Sequence, residues 1–176
     1  MTPTPADLLK LLLDPSVRAL DCAGHPRLPT PVLISATKRP LPVSLLNTGP
    51  DLTWALTLLG LSGAVGVTTR DTLQARDLPF QVGLEADGTV LVSVDRAVAN
   101  NKLLYENASH SWGRGLLATQ VVVDFAAVDF VNSVLVAWLL QLAQATKPAA
   151  MTVRNARSSI VTQFKQLRLD QMMTIG

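Results

Sequence analysis

The residue types that could carry out catalysis are few in this 176-residue chain and lie far apart. Cys22 and His25 have the spacing of two metal ligands, but a structural zinc site needs about four ligands. Only His110 and scattered carboxylates remain to complete one. With two histidines and one cysteine, a nucleophile–base triad has little material. The glycine-rich motifs that bind nucleotide phosphates do not occur. We therefore expect no enzyme activity, no metal site and no cofactor.

Two carboxylates, Asp124 and Asp129, stand five residues apart where a predicted strand ends. A pair of carboxyl groups at this spacing could act as general acid and base. Turn and cap residues are the more common use of aspartate at a strand end, and we favour that interpretation here.

The strongest candidate site is the junction between a predicted buried strand and the helix that follows it. Asn132 is a residue type that favours the N-cap position, which places Ser133 at the first helical position. A hydroxyl there lies beside unpaired backbone N–H groups and the positive end of the helix. Phosphorylation of Ser133 would add about −1.5 to −2 charges to the exposed surface and cost the helix little. An Asn-Ser cap without a regulatory role is the alternative interpretation.

Composition excludes several other classes of protein. Hydrophobic residues make up 48% of the chain and charged residues 16%, which is enough apolar material for a folded core. Fifteen basic and 13 acidic residues give a net charge of +2, too small a margin for a nucleic-acid-binding surface. We therefore expect no nucleic-acid partner. The single cysteine excludes an intramolecular disulfide and is typical of a reducing compartment, which predicts a cytoplasmic protein.

Two uncharged stretches, residues 52–69 and 130–146, are long enough to consider as membrane spans. Both contain several polar residues, whereas a spanning helix needs about 20 predominantly apolar residues. The N-terminal residues lack the basic flank of a signal peptide. These patterns predict buried core elements and no membrane insertion.

The apolar pattern of the second half of the chain predicts an α/β protein. Residues 80–94 alternate around Asp87-Gly88 and predict a hairpin. The β-branched run Val121-Val122-Val123, with Phe125 after it, is typical of a strand buried on both faces, and so predicts a central strand over 121–125. A widely buried helix is expected from about Ser133 to Ala145. A hairpin followed by alternating strands and helices predicts a mixed β-sheet flanked by helices.

The first 42 residues give a weaker pattern. Residues 1–13 favour a helix because Thr4-Pro5 supplies a cap and an N1 proline before a leucine-rich run. Residues 14–42 are rich in proline, so a helix is not expected there and 32–34 forms at most a short extended piece.

Two segments, residues 43–67 and 151–175, share one pattern at a constant offset of 108 residues, the separation of Asn47 and Asn155. Each segment predicts a strand, a turn, a helix and a short strand, at 64–67 and 172–175 respectively. The aligned apolar residues are Leu52 with Ile160, Leu56 with Phe164, Leu59 with Leu167, and Leu61 with Leu169. We interpret the segments as a degenerate repeat whose helices bury Leu56, Leu59, Phe164 and Leu167. Coincidence is the alternative, because any two strand–helix units share apolar periodicity.

Residues 121–175 resemble the STAS domain, the fold of bacterial anti-sigma-factor antagonists. In that family a strand ending in Asp leads through a short loop to Asp-Ser-Ser-Gly-Leu at a helix start, and a strand–helix–short strand unit closes the domain. Here Val121-Val122-Val123-Asp124 is similar to that strand, and Asn132-Ser133-Val134-Leu135-Val136 stands at the motif. Leu167-Arg168-Leu169-Asp170 is similar to the family's closing leucine-glycine-leucine-aspartate.

The resemblance implies a division of the chain into two parts. The hairpin at 80–94 is similar to the family's opening strands, so a STAS domain is expected over 78–176. Leu58-Leu59-Gly60-Leu61 is closer still to the family's ending. Residues 1–77 are therefore expected to form an N-terminal extension with a strand–helix–strand unit, in which 43–75 resemble the back half of a second STAS domain.

The resemblance also implies a function in signalling. Family members bind a kinase-type anti-sigma factor, and phosphorylation of the serine after the Asp releases it. Ser133 matches that phosphoacceptor, while Asn132 replaces the Asp, Val134 the next serine and Leu135 the glycine. Together with Asp124, these four residues are the expected partner-binding site.

The departures from the family motif leave two functions open. The first is a non-enzymatic STAS-type protein-interaction module, either an anti-sigma-factor antagonist or a degenerate relative in a signalling assembly. The second is a structural or accessory subunit of an oligomeric or transporter-associated complex. The apolar Val134 and Leu135 favour permanent protein contact over access for a kinase. The partner is expected to be a kinase-type anti-sigma factor, an assembly subunit or a second copy of the chain.

Overall fold

The computed structural model describes residues 4–25, 27–39, 41–61 and 78–176. Its helices are α1 (Pro5–Leu13), α2 (Thr30–Thr37), α3 (Pro50–Leu58), α4 (Ala108–Ser111), α5 (Ser133–Ala145) and α6 (Ser158–Gln166). Its strands are β1 (Ala19–Asp21), β2 (Leu28–Pro29), β3 (Ser44–Leu46), β4 (Phe80–Leu84), β5 (Thr89–Val94), β6 (Leu116–Leu117), β7 (Gln120–Asp124), β8 (Ala150–Arg154) and β9 (Thr174–Ile175). Single 3₁₀ turns occur at Val98–Asn100, Lys102–Tyr105, Trp112–Gly115 and Leu169–Gln171.

The larger sheet of the described residues has five strands in the order β4-β5-β7-β8-β9. The β4–β5 pair is the predicted antiparallel hairpin, and the remaining pairs are parallel. Strand β7 lies in the middle, where Val121 pairs with Val90 on one side and with Met151 on the other. The predicted mixed sheet with flanking helices, with residues 121–125 at its centre, is therefore confirmed.

Helix α5 packs against the larger sheet and begins at the predicted residue, Ser133. Its core face includes Trp138, Leu139 and Leu142, all with 0% exposure. The indole Nε1 of Trp138 donates to the carbonyl of Ser109 over 3.1 Å, and Nε1 of Trp112 donates to the same carbonyl over 3.0 Å. The 108–115 segment is thus fixed to α5 by polar as well as apolar contacts.

A second, smaller sheet consists of the parallel strands β1 and β3, with α2 between them in the chain. The prediction of extended structure at 32–34 is wrong, because these residues lie inside α2. Pro31 occupies the first turn of that helix, where no N–H is needed for an internal hydrogen bond. The prolines therefore stand at the start of this helix, where they do not interrupt it. Helix α1 begins with the predicted Thr4 cap, a capping box in which the Asp7 N–H donates to the Thr4 hydroxyl and the Thr4 N–H donates to the Asp7 carboxylate.

At the offset of 108, residues 47–60 and 155–168 have corresponding backbone geometry. Helices α3 and α6 are both nine residues long and start at equivalent positions. Asn47 and Asn155 precede them with φ of 54° and 58°, in the left-handed region that asparagine tolerates best after glycine. Gly60 and Arg168 follow the helices with φ of 72° and 58°. Helices α3 and α6 thus both have a left-handed residue before them and a left-handed residue after them.

The burial predicted for the repeat is only partly correct. Leu56 and Phe164 are 1% and 0% exposed, as predicted. Leu59 is half-buried and Leu167 is 51% exposed, because both are C-cap residues just beyond the helical face that meets the sheet. The second short strand is confirmed only at Thr174–Ile175. The predicted strand at 64–67 lies outside the described residues.

The repeat also starts earlier than residue 43. Asp21 and Asp124 each end a strand and lie nine residues before a helix start, at Thr30 and Ser133. The backbone N–H of Cys22 donates to the carbonyl of Leu46 over 2.9 Å. In the same way, the backbone N–H of Phe125 donates to the carbonyl of Arg154 over 2.9 Å. We call residues 19–61 the first unit and residues 120–169 the second unit. Both contain a strand, a helix, a second strand and a second helix in this order, and the first unit has the short strand β2 directly before its first helix.

The two units contact each other through the residues just before β7. Strand β2 pairs in parallel with β6, and Nη2 of Arg27 donates to the carbonyls of Leu116 and Lys147 over 2.8 and 2.7 Å. Gly115 lies against the first turn of α3, where a Cβ would meet Leu52 Cα at 2.5 Å. Only glycine permits this approach of two backbones. In the described part of the chain, no helix is long and apolar enough to cross a membrane.

Candidate functional site

The carboxyl ends of β5, β7 and β8 lie side by side, because these strands are parallel neighbours. Ser93, Asp124 and Arg154 occupy corresponding positions where the strands end. The loops that leave this edge carry the predicted site residues and the start of α5. We call the surface formed by residues 124–134, together with Arg96, Arg154, Asn155 and Arg157, the second-unit edge.

Asp124 is held by three different donors. Its Oδ1 accepts the backbone N–H of Ala126 over 2.9 Å, and Nδ2 of Asn155 donates to both carboxylate oxygens over 3.1 and 3.2 Å. Nε of Arg154 donates to Oδ2 over 3.1 Å. Burial acts to raise the pKa of this carboxyl, but the three donors outweigh it, so the pKa lies below its usual value. Asp124 is therefore a structural carboxylate that locks two loops together, as its place at a strand end indicated.

Asp129 joins the other loops of the edge. Its carboxylate pairs with Nε of Arg96, which follows β5, over 2.7 Å. It also pairs with Nη2 of Arg157, which follows β8, over 2.5 Å. Asp124 and Asp129 thus have separate cationic partners, Arg154 for Asp124 and Arg96 with Arg157 for Asp129.

Asn132 is the N-cap of α5, as predicted. Its Oδ1 accepts the backbone N–H of Leu135 over 3.0 Å, which satisfies one of the free donors of the first turn. Its Nδ2 donates to the carbonyl of Ala99 over 2.6 Å. This second bond ties the helix start to the segment that follows β5, and an aspartate at this position would lack the donor to make it.

The three residues after the cap differ sharply in accessibility. Ser133 is exposed, so its hydroxyl is accessible at the first helical position. Val134 is half-buried. Leu135 has 0% exposure and lies in the core. The expectation that Leu135 contacts a partner is therefore wrong, because the inward face of α5 begins at this residue.

Phe130 is a surface residue that the sequence patterns did not single out. Its side chain is 46% exposed, between the ion-paired Asp129 and the buried Val131. The sequence indicates the exposure of Phe130 only weakly. Phe130 lies in an otherwise apolar segment, between Val128 and Val131, and both valines are buried. An exposed aromatic ring beside an exposed serine gives the edge an apolar as well as a polar contact group.

The other candidate residues, the metal ligands and the cysteine nucleophile, do not form a site in the described part of the chain. No group of three or more histidine, cysteine or carboxylate side chains that could hold a metal ion is found in the described part of the chain. Burial, followed by the nearby Asp21 charge, raises the pKa of Cys22 to about 11, so the thiol is a poor nucleophile. Burial, with a smaller contribution from Arg114, lowers the pKa of His110.

Comparison with known proteins adds no assignment. No family model matches the chain, and a search of curated proteins finds no match either. The functional argument therefore depends on the geometry of the second-unit edge.

Proposed function

We propose that this chain is a non-enzymatic, cytoplasmic protein-interaction module of the STAS type, similar to bacterial anti-sigma-factor antagonists. Its partner binds at the second-unit edge, and Ser133 is the residue whose modification controls that binding. The observation that carries the proposal is the exposed Ser133 hydroxyl at the first position of a long, buried helix, directly after its Asn132 cap.

The order of elements supports the STAS interpretation. A hairpin, a central parallel strand and two strand–helix steps follow one another, and the strand order is β4-β5-β7-β8-β9. The loop that would carry the family's phosphoacceptor lies at the carboxyl ends of the parallel strands, where loops from three strands meet. Asp124 and Asp129 cross-link these loops through hydrogen bonds and ion pairs.

The electrostatics of the edge are compatible with phosphorylation as a release signal. The positive end of α5 tolerates added negative charge at Ser133, so the modification leaves the fold intact. The phosphate would nevertheless change the surface that a partner meets. In the unmodified chain Arg96 and Arg157 are paired with Asp129, so neither depends on Ser133 for its partner.

The constitutive-subunit function has its own support in the side chains around Ser133. Phe130 is 46% exposed and Val134 is half-buried. An apolar rim of this kind suits a permanent protein contact. In that case the partner is a subunit of an oligomeric or transporter-associated complex, or a second copy of the chain.

Affinity capture from a native lysate tests the proposal. The wild-type chain and Val134→Asp serve as the two baits, after circular dichroism shows that both fold. Charge placed in an apolar contact costs several kcal/mol, so Val134→Asp should lose a partner that binds at this edge. A kinase-like protein lost from the mutant bait supports the first function, and complex subunits lost from it support the second. A partner retained equally by both baits would contradict binding at the edge.

A further inference from the structure

The first unit contains a cavity of about 320 Å³ between α2, β3 and α3, which we call the first-unit cavity. This volume lies at the lower end of the range of small-molecule pockets, about 300–1,000 Å³. The lining is mostly apolar and includes Leu33, Ala36, Val43, Leu45, Leu56 and Leu61. Among the described residues that line the cavity, Arg39 is the only charged one, and it is half-buried.

Two side chains that line the first-unit cavity are smaller than their counterparts in the second unit. At the offset of 103 residues between the starts of α2 and α5, Ala36 corresponds to Leu139. At the offset of 108 residues between the starts of α3 and α6, Leu56 corresponds to Phe164. Leu139 and Phe164 are both 0% exposed and belong to the core of the second unit. Ala36 and Leu56 therefore leave room in the first unit that larger side chains take up in the second.

The guanidinium of Arg39 has neutral partners only. Its Nε donates to the carbonyl of Leu41 over 3.4 Å, its Nη1 to the carbonyl of Leu12, and its Nη2 to the carbonyl of Val17 over 2.6 Å. These bonds use three of the five N–H groups that a guanidinium offers. No carboxylate of the described residues forms an ion pair with Arg39, and Asp14 interacts with it only at longer range. Arg39 therefore keeps a positive charge without a counterion at the lining of an apolar cavity.

We propose that the first-unit cavity binds a small amphipathic carboxylate, with the hydrocarbon chain among the apolar side chains and the carboxylate beside Arg39. Arginine binds carboxylates through charge-assisted hydrogen bonds. A cavity of about 150 Å³ binds benzene, so one about twice as large has room for about twelve heavy atoms, the size of decanoate. This inference goes beyond the proposed function, because the cavity lies in the first unit and does not involve Ser133.

A series of ten-carbon ligands tests both parts of the proposal on the wild-type chain. Decanoate, titrated calorimetrically at about pH 7, where its carboxyl group is ionised, should bind saturably at one site. 1-Decanol has the same chain without the charge and should bind at least tenfold more weakly. This comparison tests the charge of Arg39 without a mutation that would remove its bonds to three carbonyls. No saturable binding of decanoate, or equal affinities for decanoate and 1-decanol, would overturn the proposal.

The position of the bound ligand is tested by NMR on the ¹⁵N-labelled full chain. Decanoate should cause saturable amide shifts at residues 33–37, 43–45 and 56–61, which surround the first-unit cavity. The amides of residues 130–134, at the second-unit edge, should not shift. Saturable shifts confined to the second-unit edge would show that the ligand binds elsewhere and would overturn the proposal.

Two matched variants test whether the ligand occupies the cavity itself. Ala36→Leu introduces the side chain that the second unit has at Leu139, and leucine is a good helix former, so the variant should fold. It should weaken decanoate binding at least tenfold because the new side chain takes up part of the cavity. Ala137→Leu makes the same change at an exposed position of α5 and should bind decanoate like wild type. Equal affinities of the Ala36→Leu and Ala137→Leu variants for decanoate would overturn the proposal.

Discussion

Gly115→Ala probes the contact between the two units at its tightest point. A Cβ at residue 115 would lie 2.5 Å from Leu52 Cα, 2.7 Å from the Asp51 carbonyl oxygen and 2.7 Å from Leu52 N. All three atoms belong to the backbone of the first turn of α3, so no side-chain rotation can relieve the overlap. The backbone of residues 51–52 or that of residue 115 must therefore shift to admit one methyl group.

The expected loss of stability depends on whether the new methyl group meets backbone or side-chain atoms. Overpacking a core by a methylene or more typically costs 1–3 kcal/mol, and an overlap with backbone belongs at the upper end, about 3 kcal/mol. With a urea m-value of about 2 kcal/mol/M, the unfolding midpoint should fall by about 1.5 M.

Two other glycines provide matched controls. A Cβ on Gly113 would lie 2.7 Å from Cγ2 of Thr146, a buried side chain whose hydroxyl is bonded to the carbonyl of Leu142, so Gly113→Ala should also destabilise, by about 1–3 kcal/mol. A Cβ on Gly83, in the hairpin, meets no atom within 4 Å, so Gly83→Ala should be neutral or stabilising by up to about 1 kcal/mol. Urea unfolding followed by tryptophan fluorescence measures all three. Equal midpoints for Gly115→Ala and Gly83→Ala would refute the described packing of the two units.

Three further predictions concern the core and the edge. Asp124 has a lowered pKa in the folded state, so its stabilising effect is present above the unfolded value of about 3.9 and is lost as pH falls through the lower folded value. Asp124→Ala should therefore lower the free energy of unfolding by about 1.5–3 kcal/mol at pH 7, and the difference from wild type should shrink below about pH 4 in urea titrations. Cys22, with a pKa raised to about 11, should react with a thiol reagent at pH 8 far more slowly in the folded chain than in urea, and equal rates would contradict its burial. Phe164→Ala should cost about 3–5 kcal/mol, whereas Leu167→Ala should stay within about 0.5 kcal/mol, as measured by thermal or urea unfolding.

The sequence predicted those elements in which local pattern and tertiary packing agree. The β-branched run Val121-Val122-Val123 and the alternation around Asp87-Gly88 predicted the strands of the larger sheet, because a period of two or a continuous apolar run is compatible with few other structures. The shared asparagines were also informative. Asn47 and Asn155 take up the same left-handed conformation, and each donates its amide to an aspartate, Asp21 or Asp124, at the end of the neighbouring strand.

Other features could not be predicted because their cause is not local. Helix α2 is stabilised by packing, since Val32 and Leu33 are 2% and 1% exposed, while the local proline content argued against a helix. The inward direction of Leu135 depends on how α5 is rotated on the sheet. The exposure of Phe130 depends likewise on the path of the loop before the helix.

The sequence predicted the helix start of the candidate site, and the structure added contacts around it that join distant parts of the chain. Asn132 as cap and Ser133 as exposed first residue follow from residue type and order. The ion pairs from Asp129 to Arg96 and Arg157 connect loops that are distant in sequence, so no local pattern indicated them.

Calorimetric titration of the captured partner tests most directly whether Ser133 controls binding at the second-unit edge. Wild type, Ser133→Ala, Ser133→Glu and Ala137→Glu would each be titrated after circular dichroism and urea unfolding show that they fold. We predict that Ser133→Glu weakens binding at least tenfold, that Ser133→Ala loses less than this because Asn132 still caps the helix, and that Ala137→Glu binds like wild type. Equal affinity of Ser133→Glu and Ala137→Glu for the partner would contradict the account.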